Sequence, residues 1–249
     1  MITDVITIGA RFNGPPRSGN GGYVCGRLAR YLDGPATVRL RAPPPLGREL
    51  RVEADDGQAR LFDGDTLLAH ATRNTPDIRA PRAPSFAEAA AAARSAIGLE
   101  RHPVPHCFVC GPLRGAGDGM RILPGRTAAP GVWAAPWVPH DSLGDGSGRV
   151  APEFLWAALD CAGAFAVVPE FNQPTILGEL NACLNGSVAL GETCVVASWP
   201  IAVEGRKRFA GTALYNASGM PVGVARATWI DIAALPGAAA PARERSPCQ

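Results

Sequence analysis

One order of elements is written twice in this chain, and the repetition restricts it to a duplicated fold. An amphipathic helix begins after Asn20: Val24, Leu28 and Leu32 recur every four residues with Tyr31 beside them, and Asp33-Gly34 stops it. Strand-like segments follow at 36–42, 49–54, 59–62 and 66–72, divided by Pro43-Pro44-Pro45, Asp55-Asp56-Gly57 and Asp63-Gly64. The second copy has an extended segment at 131–138, a helix over 150–167, and strands at 176–184, 193–203, 208–215 and 222–232. The match reaches single residues. Leu46-Gly47 opens a strand where Leu190-Gly191-Glu192 does, and Ala69-His70-Ala71-Thr72 corresponds to Ala225-Arg226-Ala227-Thr228. A helix followed by consecutive antiparallel strands is an α+β pattern. The expected units are 1–75 and 120–232, joined by a proline-rich linker, 76–119, with a capping box at Ser85-Phe86-Ala87-Glu88. Residues 233–249, rich in Ala, Pro and Arg, read as a disordered tail.

The second helix carries the clearest chemical signal. Pro152 suits its first turn, Glu153 favours its positive end, and the rest is apolar on every side except Asp160. A helix apolar all round is wrapped by protein, so Asp160 is a buried carboxylate. Burying it is costly unless it is paired or hydrogen-bonded. It therefore either caps backbone N–H groups or does chemistry.

Composition excludes several classes. At 47% hydrophobic and 18% charged, with net charge +2 and no basic block, the chain suits no nucleic-acid partner. The apolar run 154–168 is interrupted by Asp160 and too short to span a bilayer. Residues 1–6 lack the basic start of a signal peptide, and seven irregular cysteines make no disulfide framework, so a cytoplasmic location is expected.

A central helix wrapped by an antiparallel sheet, twice in one chain, resembles the double (tandem) hotdog fold of acyl-CoA thioesterases over about 8–75 and 120–232. In single-hotdog members a His-Gly-Gly motif starts the helix, and a catalytic acid lies nine residues after that His. Here Asn20-Gly21-Gly22 stands in the motif's place, with Ala29 at the acid position; the second half has Asp160 as the acid, with Ala151-Pro152 in place of the motif. Each half keeps one part. Gly21 and the acid position of its own helix differ by about 12 Å of rise, too far to serve one carbonyl. The resemblance implies that the glycine N–H of one half works with the acid of the other. Asn20, Gly21 and Gly22 with Asp160 then form one working site, and Ala29 with Ala151-Pro152 a dead one, since proline has no N–H. The oxyanion donors are expected to be the N–H of Gly21 or Gly22 and the Asn20 side chain. Asp160 acts as general base or nucleophile. Asn13, seven residues before Asn20, is expected to place the thioester or water, unless it is only a turn residue before Gly14. Thr175 is a further candidate for holding water. The resemblance implies hydrolysis of an acyl-CoA or acyl-carrier thioester, coenzyme A entering with the substrate and no separate cofactor. The alternatives are a non-catalytic acyl-CoA-binding protein or a hotdog enoyl-CoA hydratase or dehydratase. No His follows Asp160, which counts against the hydratase.

Two further stretches invite chemistry. His102, His106, Cys107 and Cys110 offer four ligand types around one Cys-x-x-Cys; zinc, redox and structural readings stay open, and no metal is assigned. Arg206, Lys207 and Arg208 lie at a turn, where they either bind coenzyme A phosphates or form a solvated tip. Ser18, Cys25 and Cys161 carry no signature of an activated nucleophile, and His70 and His140 read as surface residues. Outer sheet edges leave homo-oligomer formation open.

Overall fold

The computed structural model describes residues 2–235. The first half comprises β1 (Ile2–Thr7), α1 (Gly21–Ala29), β2 (Ala36–Leu40), β3 (Glu49–Asp55), β4 (Gln58–Asp63) and β5 (Thr66–Arg73). Helix α2 (Phe86–Ala93) follows, with the expected capping box between Ser85 and Glu88. The second half comprises β6 (Gly125–Arg126), β7 (Trp133–Trp137), α3 (Pro152–Ala158), α4 (Ala162–Val167), β8 (Thr175–Leu184), β9 (Cys194–Glu204), β10 (Lys207–Tyr215) and β11 (Pro221–Asp231). All strands join one antiparallel sheet in the order β1-β3-β4-β5-β2-β8-β11-β10-β9-β7-β6. Apart from β6, the order reads the same from either end once β1, β2, β3, β4 and β5 are matched to β7, β8, β9, β10 and β11. The halves meet where β2 pairs with β8, and Arg39 of β2 forms a salt bridge to its register partner Glu179 of β8 (2.6 Å). The tail beyond residue 235 lies outside the described residues. Among the described residues no helix is long and apolar enough to cross a membrane.

Turn chemistry and strand alternation explain the frame. β4–β5 and β9–β10 are two-residue hairpins whose first turn residue, Gly64 or Gly205, has φ +56°. Glycine takes this conformation without steric cost. β3 and β5 bury alternate residues, among them Leu50, Val52 and Ala54, and Ala69 and Ala71.

The central helices pack antiparallel, α1 against α3, with almost no space between them. A methyl group at Gly22 would lie 2.4 Å from Asp160 Cβ, and one at Gly26 would lie 2.6 Å from Glu153 Cα. Their four-residue spacing puts both glycines on one helix face. Gly26→Ala is accordingly expected to lower stability by about 1–2 kcal/mol, because overpacking against backbone outweighs the ~1 kcal/mol gain in helix propensity. Urea denaturation checks this; an unchanged or raised midpoint contradicts it.

The single helix expected over 150–167 is two helices. After Ala158 the chain makes a turn through Asp160, and Leu159 N–H bonds at 3.2–3.3 Å to Leu155 O and Trp156 O. The Thr212 hydroxyl of β10 donates to Leu159 O at 2.7 Å, taking a carbonyl that a continuous helix would use itself. Asp160 therefore sits in a break, with its side chain toward α1.

Candidate active site

The amino end of α1 leaves four backbone N–H groups without helical partners, as at any helix start. Asn20 N–H donates to Phe12 O (2.8 Å), Gly22 N–H to Asp160 Oδ2 (2.8 Å), and Tyr23 N–H to the Asn20 side-chain oxygen (2.9 Å). Gly21 N–H has no protein acceptor among the described residues. Gly21 lines a cavity of about 270 Å³ together with Asn20, Asp160, Thr175, Cys107, Cys110 and Cys161. The rest of the wall is largely apolar and includes Val104, Phe165, Phe171, Leu177 and Ile230.

The two halves thus place the carboxylate of one against the helix start of the other. Asp160 is 1% exposed. Its Oδ2 accepts from Gly22 N–H and from Asn20 Nδ2 (3.0 Å), while Oδ1 is buried without a hydrogen-bond partner among the described residues. Burial pushes the carboxyl up to about 7, against the pull of the Gly22 N–H; negative charge at Cys107 raises it further and the Asn20 amide opposes. A carboxylate poised near neutrality fits a proton acceptor.

This geometry revises the expected donor set. Gly22 N–H and the Asn20 amide both hold Asp160, so they orient the acid. Asn20 is at the same time the N-cap of α1. The donor left over on a cavity-lining residue is Gly21 N–H. Asn13 also departs from its expected role. Its side chain donates to Gly14 O (2.8 Å) and accepts from Arg114, while its carbonyl takes Phe108 N–H, so it ties down the cysteine loop and does not line the cavity. Thr175 does line the cavity. Arg208 is held by Asp231 (2.7 and 2.9 Å) and donates to Val167 O; Arg206 and Lys207 are exposed, and none of the three lines the cavity. On the opposite face, Ala29 and Ala151 are buried and Pro152 opens α3, so that helix start offers no N–H at its first position.

The cysteine loop differs from the four-ligand set of the sequence. His106 is exposed, and His102 packs beside the Phe165 and Phe171 rings on the cavity wall. His102 Nδ1 accepts from Val104 N–H and its Nε2 is buried without a partner among the described residues; burial holds its pKa below the usual value. Cys161 instead joins Cys107 and Cys110. Hydrogen bonds from the Cys110 and Cys161 thiols, then from the backbone N–H of Cys110 and Val109, favour a thiolate at Cys107, whereas the Cys110 and Cys161 thiols are pushed up. Sequence reading did not group Cys161 with Cys107 and Cys110, since its only signal is its place next to Asp160. It also missed Arg41, an exposed residue on the cavity rim with no distinguishing motif.

No family model matches the chain, and no curated protein matches its sequence. Solved structures do match. The tesB protein of Mycobacterium avium subsp. paratuberculosis superposes with a TM-score of 0.60 at 12% identity, covering 92% of this chain and 93% of that one. A candidate thioesterase from Novosphingobium aromaticivorans gives a TM-score of 0.60 at 12% identity, covering 92% and 94%. A hot dog-fold protein of unknown function from Alicyclobacillus acidocaldarius gives a TM-score of 0.53 at 8% identity, covering 94% of each chain. The fold is a double hotdog. At these identities the likeness concerns the fold, and the chemistry is argued from the site.

Proposed function

We propose that this double hotdog protein hydrolyses acyl-CoA or acyl-carrier thioesters at a single composite site. The observation that carries the reading is Asp160 of the second half held 2.8 Å from the start of α1, beside an apolar cavity and an unclaimed Gly21 N–H. The acyl chain occupies the apolar wall. The thioester carbonyl oxygen takes Gly21 N–H, where the positive end of α1 stabilises the charge that develops. Asp160 either takes a proton from a water that adds to the carbonyl carbon or attacks that carbon to form an anhydride that water then opens. In the first route the C–S bond breaks as Asp160 returns the proton to the leaving sulfur. In the second the sulfur leaves as a thiolate when the anhydride forms and takes up the proton released when water opens it. Both end in a free thiol and a carboxylic acid. Thr175 holds the water.

Coenzyme A carries phosphates, and Arg41 stands on the rim where they would pass; Arg206 and Lys207 lie exposed on the β9–β10 hairpin. Arg41→Ala is expected to raise KM for acyl-CoA about two- to fivefold with kcat unchanged, the size of an exposed charge contact. Steady-state kinetics check this, with Arg206→Ala/Lys207→Ala measured beside it; an unchanged KM for Arg41→Ala removes that residue from the account.

The test of the function is release of free thiol from a panel of acyl-CoA esters differing in chain length. At least one ester should be turned over by the wild-type chain. Tight binding without release supports a non-catalytic acyl-CoA-binding protein instead. One observation favours a second enzymatic reading: His102 on the cavity wall supplies the histidine that an enoyl-CoA hydratase pairs with an acid. Loss of enoyl-CoA absorbance without thiol release, abolished in His102→Ala, would support that reading.

A further inference from the structure

Three buried thiols converge beside Asp160. The sulfurs of Cys107, Cys110 and Cys161 all lie within 4.8 Å of one another, and Cys107 Sγ is 3.7 Å from Cys161 Sγ. None of the three forms a disulfide. Tetrahedral zinc with Zn–S bonds of about 2.3 Å sets its sulfurs about 3.8 Å apart, so the Cys107–Cys161 spacing already matches one tetrahedral edge.

The loop is built to present its two sulfurs together. After Cys110 the chain turns back, Gly111 N–H donating to Cys107 O at 2.9 Å. A methyl group at Gly111 would lie 2.5 Å from Cys107 O and 2.7 Å from Cys107 N, so this turn requires glycine after the second cysteine. The third sulfur comes from the α3–α4 break. Its surroundings suit anionic sulfur: the Asn20 amide nitrogen lies 3.6 Å from Cys161 Sγ and 3.9 Å from Cys107 Sγ, the donor placement that supports metal-bound thiolates. Next to the cluster, Asp160 Oδ1 is fully buried with no hydrogen-bond partner among the described residues, an unmet demand for a proton or a cation.

We infer that Cys107, Cys110 and Cys161 together bind one thiophilic divalent cation, with zinc the best match, as three thiolates. The fourth position is left to water or to the Asp160 carboxylate. Binding displaces the thiol protons that remain on the three cysteines and needs no oxidant or reductant. The bound ion fastens the linker loop to the turn that carries Asp160. The inference does not rest on the thioesterase reading, since it concerns metal uptake and not turnover.

The full chain, reduced and stripped with a chelator, is titrated with Co(II) and then with Zn(II). One Co(II) per chain is expected, with intense sulfur-to-metal charge-transfer absorption that Zn(II) displaces. Cys110→Ser and Cys161→Ser should each weaken uptake more than about tenfold. Zn(II) should also shield Cys107, Cys110 and Cys161 of the wild-type chain from alkylation, as read by peptide mass, which keeps the test valid if a variant does not fold. Co(II) uptake without sulfur charge transfer, no uptake by the reduced chain, or alkylation of the three cysteines unaffected by Zn(II) would overturn the inference. A disulfide among them in protein purified without reductant, with no Co(II) bound after reduction, would assign the cluster to redox chemistry.

Discussion

Asp160→Asn is expected to lower kcat/KM for acyl-CoA hydrolysis by about 10²–10⁴ while the protein stays folded. The substitution changes little in shape. The Asn oxygen can still accept from Gly22 N–H, so the contact between the halves survives. What disappears is the ability to take a proton or to attack a carbonyl. Stability should hold or rise, because a fully buried carboxyl gives way to a neutral amide and the cost of burying charge falls. Thiol release under steady-state conditions, paired with a denaturation midpoint, checks both halves of this expectation. A folded variant hydrolysing its best ester at close to the wild-type rate would show that Asp160 is a structural cap.

Gly21→Pro should cost about 10²–10³ in kcat, the size found on removing one oxyanion donor. The position tolerates proline unusually well. It is the first residue of α1, where the N–H has no helical partner, and Asn20 before it is extended at ψ 132°. The second half carries the natural counterpart, Pro152 at the same place in α3. The three nearest neighbours of the β-carbon are side-chain atoms, Leu177 Cδ2 at 2.9 Å and Leu177 Cβ and Leu40 Cδ1 at 3.2 Å. Gly21→Ala therefore serves as the control: it adds the same carbon and keeps the N–H. The predicted result is a large kcat loss for proline and a small one for alanine. Equal losses in the two variants would mean that crowding, not the missing donor, is responsible.

How far the site could be read from sequence depends on the range of the interactions that build it. The hairpins were legible because Gly64 and Gly205 act on their immediate neighbours. β1 was harder: Ile2–Thr7 buries only Ile6, so its pattern lacks a clear apolar face. Asp160 stood out as a lone charge in an apolar stretch, and the exchange of motif parts between Asn20-Gly21-Gly22 and Asp160 indicated which halves must meet. The break at Asp160 did not show, because it depends on the Thr212 hydroxyl, 53 residues away. Asn13 looked like a substrate contact until Arg114, 101 residues later, took its oxygen. Gly22 and Asn20 both donate to Asp160, and spacing along the chain cannot tell a donor to the acid from a donor to the substrate. Cys161 and Cys107 lie 54 residues apart and share no motif, so their meeting appears only in three dimensions.

The proposed hydrolysis requires one half to supply the oxyanion donor and the other the acid at the same thioester. A structure with a ketone analogue of acyl-CoA, a methylene inserted between sulfur and carbonyl, tests it most directly. The predicted complex places the ketone oxygen about 3 Å from Gly21 N–H, with the Asp160 carboxylate beside the carbonyl carbon. A ketone bound away from Asp160, or seated on the opposite face near Ala29 and Ala151, would contradict the account.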